Sequence, residues 1–175
     1  MKNIIIVADK DLKSFGREFV HAISKTKIAK ASLFTPKQYA DNEHQIGGTQ
    51  YVIFLGKNDV SKDFIPLIQK KYEKYGVVWG YDASKAVIYI EHGNVDMQNL
   101  KKEINQTKEE IKKGTESTTD WIIGLIACTL IPPLFIWAFI LNTKDEKKLQ
   151  ELQMKLGIIS FLKDGFDEFV KVDLA

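Results

Sequence analysis

The feature that most constrains this chain is an uncharged apolar stretch of 21 residues, Trp121 to Leu141. As a continuous helix it would be about 31 Å long, which matches the hydrocarbon thickness of a bilayer. Trp121 and Trp137 lie at or near its two ends, and tryptophan is enriched at membrane surfaces. The sequence therefore predicts a membrane segment at 120–142, with Ile126 in its interior.

Two adjacent prolines, Pro132 and Pro133, stand at the midpoint of this segment. Proline removes a helix hydrogen bond and disfavours helical geometry in the preceding residue, so we expect a kink or a break there. Five lysines between 101 and 113 and four between 144 and 155 leave no positive-inside bias. Length favours a transmembrane span, whereas the lysine balance favours a re-entrant hairpin, and both stay open.

The residues before the apolar segment have the pattern of a small α/β domain. Apolar runs at 3–8 and 51–55 are typical of strands buried on both faces, and shorter strands are predicted at 31–34, 77–81 and 86–90. Apolar residues three and four apart predict a helix between Leu12 and Ile23. We therefore expect a flavodoxin-like or Rossmann-like sheet that is mostly parallel and carries an antiparallel edge hairpin.

Two other segments of this domain have weaker patterns. Asp63 resembles a helix N-cap, followed by Phe64, Ile65 and Pro66 in a first turn, and Gly76 would end that helix. The residues from 38 to 44 are mostly polar, which predicts a connecting passage before the third strand. The sequence therefore predicts one helix between the third and fourth strands and no helix between the second and third.

Stripes of apolar residues at helical spacing flank the membrane segment. They consist of Met97, Leu100, Ile104, Thr107 and Ile111 before it and of Leu149, Leu152, Leu156 and Ile159 after it. Such stripes favour self-association into a homo-oligomer, or each packs on its own sheet. The predicted organisation is an α/β domain at 1–93, a connecting helix and polar linker at 94–119, the membrane segment at 120–142 and an amphipathic helical tail at 143–175.

Polar side chains follow the first and third predicted strands. Ligands of open α/β sheets bind at the carboxyl ends of the strands, close to the point where strand order reverses. The predicted ligand-binding residues are therefore Asp9, Lys10, Asp11, Ser14, Lys57, Asn58 and Asp59. The glycine-rich nucleotide-binding fingerprints are absent, so a nucleotide-like ligand would bind without them, and the cofactor stays unknown.

Two known families are similar to parts of this pattern. The acidic pair Asp9 and Asp11 resembles that of receiver domains, but Gly56 stands where those domains carry the phosphoacceptor aspartate. Toll/interleukin-receptor-like domains are loosely similar over 3–24 and 51–61, and their enzymes need a glutamate early in the next helix. This chain has Phe64 to Leu67 there, so neither resemblance implies an activity.

Composition excludes several other classes of function. Lys and Arg total 25 against 23 Asp and Glu, and this small excess is not clustered as nucleic-acid binding requires. The three histidines lack metal-ligand spacing, so no metal site is predicted. The single cysteine, Cys128, excludes an internal disulfide and fits a reducing cytoplasm.

These observations favour a membrane-anchored sensor or effector with a cytoplasmic α/β domain that self-associates. Membrane effectors of bacterial stress responses or phage defence have this layout. The expected partners are the membrane, further copies of the chain and a nucleotide-like small ligand. One alternative is an enzyme that acts on such a ligand at the strand ends, although no catalytic residue is identified and a non-catalytic role is favoured. The other is a soluble homo-oligomer with a buried apolar hairpin.

Overall fold

The computed structural model of the protein describes residues 2–25, 29–46, 50–93, 95–113 and 146–171. The predicted membrane segment at 120–142 lies outside the described residues, together with Trp121, Ile126, Pro132, Pro133 and Trp137. Among the helices that are described, none is both long enough and apolar enough to cross a bilayer.

The described residues form six strands and five α-helices with two short 3-10 turns. The strands are β1 (Lys2–Ala8), β2 (Ala29–Phe34), β3 (Tyr51–Leu55), β4 (Gln69–Lys74), β5 (Val77–Asp82) and β6 (Lys85–Ile90). The helices are α1 (Lys13–Lys25), α2 (Pro36–Ile46), α3 (Met97–Lys113), α4 (Glu146–Asp164) and α5 (Phe166–Lys171). The 3-10 turns are Lys10–Leu12 and Ile65–Leu67.

All six strands belong to one sheet, in the order β2-β1-β3-β6-β5-β4. The four strands β2, β1, β3 and β6 pair in parallel, whereas β5 is antiparallel to both β6 and β4. This arrangement confirms the mixed α/β class and the mostly parallel, Rossmann-like sheet. The hairpin of β5 and β6 also forms, but the edge of the sheet is β4 rather than this hairpin.

The prediction of a helix after Asp63 is wrong. Its first turn is the 3-10 turn Ile65–Leu67, and its second half is the edge strand β4. Tyr75 and Gly76 have φ values of 53° and 71°, which is the geometry of the two-residue type I′ turn that joins paired strands. A shift of register between Lys70 and Tyr72 interrupts the two-residue alternation that is typical of a strand. The spacing of the apolar residues in this segment therefore resembles that of a helix.

The prediction of a polar connecting passage before the third strand is also wrong, because residues 36 to 46 form α2. Thr35 and Gln38 cap this helix reciprocally: the Gln38 backbone N–H donates to Thr35 Oγ1 (3.2 Å), and the Thr35 N–H donates to Gln38 Oε1 (2.9 Å). Pro36 follows the cap in the first turn. Only Tyr39 and Ile46 are buried, so the helix shows almost no apolar stripe in the sequence.

A hydrophobic core lies on each face of the sheet. On one face, α1, α3, α4 and α5 cover side chains that include Ile6, Trp79 and Ile88. On the other face, α2 and the loop at 56–68 cover Val7, Phe54 and Tyr89. Because α1 and α2 lie on opposite faces, the chain changes face between β1 and β3, and this is where the strand order reverses.

Helix α4, which follows the apolar segment in the chain, is part of the same core as the N-terminal strands. Gln153 is fully buried, and its Nε2 donates to the carbonyl oxygens of Tyr75 and His92, each at 2.8 Å. Gly157 faces Val77 and Ile88 so closely that an added Cβ would lie 2.6 Å from Val77 Cγ2. Helix α4 therefore packs directly on β5 and β6.

The apolar stripes pack on this sheet. Leu100 and Ile104 of α3 are 0% exposed, and Leu152, Leu156 and Ile159 of α4 are at most 3% exposed. The alternative in which each stripe covers its own sheet therefore holds for these residues. Their burial removes the reason to expect self-association through them.

Candidate functional site

The carboxyl ends of β1 and β3 lie side by side in the sheet, with Ala8 beside Leu55. The turn after β1 is closed by a hydrogen bond from the Leu12 N–H to the Asp9 carbonyl (3.0 Å). The turn after β3 starts at Gly56, whose φ of +87° favours glycine. Gly56 lies so close to Leu12 that an added Cβ would be 2.7 Å from its Cδ1. The two polar turns therefore touch at the point where strand order reverses.

Two openings flank this contact, and the predicted residues divide between them. We call the first the β1–β3 pocket, a space of about 380 Å³ lined by Asp9, Pro36, Lys57, Asn58, Asp59 and Lys62. The second is the α1–α4 cleft, of about 650 Å³, which takes in Asp11 and Ser14. Lys10 lines neither. The predicted set therefore does not form a single site.

The β1–β3 pocket contains two carboxylates, Asp9 and Asp59, and two ammonium groups, Lys57 and Lys62. Burial raises the pKa of Asp9 above its usual range, and the nearby charges of Asp11 and Asp59 raise it further. Within the described residues, no group of three or more histidine, cysteine, aspartate or glutamate side chains is arranged to hold a metal ion. Asp9 is therefore disfavoured in its charged form by burial and by two neighbouring carboxylates.

Asn58 holds the loop at 56–68 in shape. Its Oδ1 accepts hydrogen bonds from the backbone N–H groups of Val60 (3.1 Å) and Ser61 (3.0 Å). The fully buried Ser61 hydroxyl donates to the Gly56 carbonyl (3.0 Å) and accepts from the Asn58 N–H (2.9 Å). Asn58 Nδ2 is buried and has no hydrogen-bond partner among the described residues. The side-chain oxygen of Asn58 is thus already engaged by its own loop.

The charged neighbours of Asn58 are engaged as well. Lys57 Nζ lies 3.9 Å from Glu91 Oε1 and 4.8 Å from the centre of the Tyr89 ring. Asp59 pairs with Lys62 at 3.3 Å, although its side chain is 94% exposed. Three of the predicted ligand-binding residues in the β1–β3 pocket, Lys57, Asn58 and Asp59, therefore have partners within the fold.

The α1–α4 cleft has a different composition. Its apolar lining, which we call the floor, consists of Leu12, Phe15, Ile90 and Met154, together with Gly56. One wall, which we call the α1 wall, consists of the 3-10 turn Lys10–Leu12 and the start of α1, which contribute Asp11, Ser14 and Glu18. The other wall is the start of α4, which contributes Lys147, Gln150, Glu151 and Lys155. An apolar floor between polar walls is the usual composition of a small-molecule site.

Two opposite charges of this cleft are partly buried. Burial lowers the pKa of the Lys155 ammonium, and this effect outweighs the opposing influence of Glu151 and Glu18. Burial raises the pKa of the Glu18 carboxyl, against the influence of Lys155. Neither side chain has an ion pair or hydrogen bond to any residue that the structure describes. The cleft therefore contains a carboxylate and an ammonium that are partly desolvated but not neutralised by contact.

Sequence reasoning missed the α4 wall of this cleft. Lys147, Glu151 and Lys155 follow one another at spacings of four, which places them on one face of a helix. Lys155 is also the only charged residue between Leu152 and Leu162, and every other residue in that range is buried. A lone charge within a buried run was the available signal, because such a charge needs a partner or an opening.

Comparison with models of known protein families, with characterised proteins and with solved structures finds no match to this chain.

Proposed function

We propose that this protein is a membrane-attached sensor that binds a small polar ligand in the α1–α4 cleft. The domain and α4 both lie on the cytoplasmic side of the membrane in this proposal. The observation that carries it is the position of α4, which begins five residues after the apolar stretch, packs in the core of the N-terminal domain and forms one wall of the cleft.

The packing of α4 supports attachment from one side. Helix α3 precedes the apolar segment and α4 follows it, yet the two helices contact each other and cover the same face of the sheet. A single crossing between 113 and 146 would place the bilayer between α4 and its partners β5 and β6. The re-entrant hairpin that the lysine balance favoured keeps both flanks together, with Pro132 and Pro133 at its turn.

The position of the cleft supports a sensing role. One wall belongs to the first helix of the domain, and the other belongs to the helix that leads back from the apolar segment. A ligand that touches both walls stabilises their contact, by about 2.7 kcal/mol at a ligand concentration 100 times the Kd. Ligand binding would in this way stabilise the packing of α4, which follows the membrane segment, on the α/β domain. The apolar stripes of α3 and α4 do not mediate self-association in this proposal, because their residues are buried in the domain.

Cysteine accessibility tests the one-sided attachment. In a Cys128→Ser background, single cysteines are placed at the exposed residues Lys30, on β2, and Lys171, on α5. A membrane-impermeant maleimide is then applied to intact cells and to inverted membrane vesicles. We expect both positions to react only in inverted vesicles. Labelling of the two positions from opposite sides would contradict one-sided attachment.

Fractionation tests attachment itself. The full-length protein should sediment with membranes and resist carbonate extraction. Ile126→Arg should weaken insertion, by roughly 2.5 to 3.5 kcal/mol if that residue lies near the middle of the bilayer. Lys30→Arg is the matched control on the surface of the sheet and should leave sedimentation unchanged. Recovery of the unmodified chain as a detergent-free soluble oligomer would instead support the hypothesis of a buried apolar hairpin.

A further inference from the structure

Glu18 and Lys155 face the same cleft from opposite helices. Each is partly buried, and each influences the protonation of the other. They are nevertheless not within ion-pair distance, because no such pair exists between these two described residues. Partly desolvated charges that are not neutralised by contact cost free energy, so a bound group of opposite charge would stabilise each of them.

The neighbouring side chains extend this division of charge. Asp11 and Ser14 lie on the α1 wall with Glu18, which makes that wall acidic. The α4 wall carries the two ammonium groups of Lys147 and Lys155 with the Glu151 carboxylate between them, so it is net positive, and Gln150 adds an amide that can donate or accept. A simple anion would be repelled by the α1 wall, and a simple cation would be repelled by the two lysines.

We propose that the α1–α4 cleft binds a zwitterion whose ammonium group contacts Asp11 and Glu18 and whose phosphate or carboxylate contacts Lys155 and Lys147. This inference rests on the proposed ligand-binding role of the cleft and names its ligand class. The apolar floor fits the short carbon chain between the two charged groups. The volume of about 650 Å³ exceeds the need of phosphoethanolamine and leaves room for a larger substituent.

The same chemistry has two sources, a free metabolite and the headgroup of a zwitterionic lipid such as phosphatidylethanolamine. The test uses the full-length protein in maltoside micelles, titrated by calorimetry with phosphoethanolamine, inorganic phosphate and ethanolamine separately. A second arm measures binding to phosphatidylcholine vesicles with increasing phosphatidylethanolamine content. Saturable binding of phosphoethanolamine identifies a soluble ligand, and binding that follows phosphatidylethanolamine content identifies the headgroup.

Substitutions in the α1–α4 cleft test whether the zwitterion binds there. Lys155→Gln and Glu18→Gln should each weaken zwitterion binding by at least tenfold, because each removes one charge contact. Lys30→Gln on β2 and Asp41→Asn on α2 are exposed, lie outside the cleft and should bind as the unmodified protein does. Phosphate alone and ethanolamine alone should bind at least tenfold more weakly than phosphoethanolamine.

Three results would overturn the proposal: no binding in either arm, phosphate binding as tightly as phosphoethanolamine, or unchanged affinity in both cleft variants. Circular dichroism and thermal unfolding of each variant show whether weaker binding reflects lost folding. None of these readouts depends on membrane sidedness. Zwitterion binding can therefore fail while one-sided attachment holds, and the reverse result is equally distinguishable.

Discussion

Gly56 sets how closely the turns after β1 and β3 approach each other. An alanine at this position would adopt an unfavourable φ of +87° and would place its Cβ 2.7 Å from Leu12 Cδ1. We expect Gly56→Ala to lower the free energy of unfolding by about 1 to 3 kcal/mol in chemical denaturation. The control is Gly93→Ala, which meets nothing within 4 Å and should change stability by less than about 0.5 kcal/mol.

Asn58 should matter for folding as well as for any ligand. Asn58→Ala removes the acceptor of the Val60 and Ser61 N–H groups, and we expect a loss of about 1 to 3 kcal/mol in unfolding free energy. The neighbouring Asp59→Ala removes only an exposed ion pair and should cost less than about 1 kcal/mol. Equal stability of the two variants would show that the loop does not depend on Asn58.

Glu18 should act against stability in the empty protein. Its pKa is raised in the folded protein, which therefore binds this proton more tightly than the unfolded chain does. The stability gained from this proton is complete below the ordinary pKa of 4.5 and is lost as the pH rises through the raised pKa, where Glu18 becomes a partly buried charge. We therefore expect Glu18→Gln to raise the melting temperature at pH 7, with a difference that shrinks toward pH 4. The matched control is Asp41→Asn, which removes a carboxylate on the exposed surface of α2, outside the cleft. A lower melting temperature for Glu18→Gln at pH 7 would contradict this assignment.

At the scale of elements, Gly157 determines how closely α4 approaches the sheet. Any larger side chain there would overlap Val77 and Ile88, with contacts of 2.6 and 2.8 Å already at the Cβ. We expect Gly157→Leu to lower the free energy of unfolding by more than about 2 kcal/mol, despite the better helix propensity of leucine. Asn105→Leu, on the exposed side of α3, tests propensity alone and should be close to neutral.

The elements that the sequence predicts correctly are those with a strong local pattern of apolar residues. The runs at 3–8 and 51–55 are apolar throughout because both faces of β1 and β3 are covered, so composition alone identifies them. Helix α2 buries only two side chains, and its signal was the capping pair Thr35 and Gln38. Strand β4 depends on the turn at Tyr75 and Gly76 and on its pairing with β5.

Only the part of the candidate site that lies at the strand ends could be predicted from local patterns. The two turns follow from strand order, which local patterns can suggest. The second wall of the cleft cannot be predicted in this way, because α4 follows β6 only after α3 and the apolar segment. Nothing in the residues near Lys155 specifies that they return to the end of β1. Only long-range packing of α4 on the sheet brings Lys155 to Glu18.

For the molecule as a whole, the described parts should fold without the apolar segment. A variant in which a Gly/Ser linker of equal length replaces residues 114–145 keeps every core contact described above. We expect it to be soluble, monomeric and cooperatively folded in thermal unfolding. Residues 1–113 alone should aggregate or lack a cooperative transition, because Val77 and Ile88 lose the cover of α4. Cooperative unfolding of 1–113 would contradict the role of α4 in the core.

The attachment of α4 through Gln153 also fixes an order of events during synthesis. Gln153 bonds to Tyr75, 78 residues earlier in the chain, so this contact forms only after the whole apolar segment has been translated. Contacts this distant in sequence form slowly, and the N-terminal part of a chain is exposed first. The apolar segment is therefore synthesised while β5 and β6 still lack the cover of α4, and the domain closes only afterwards.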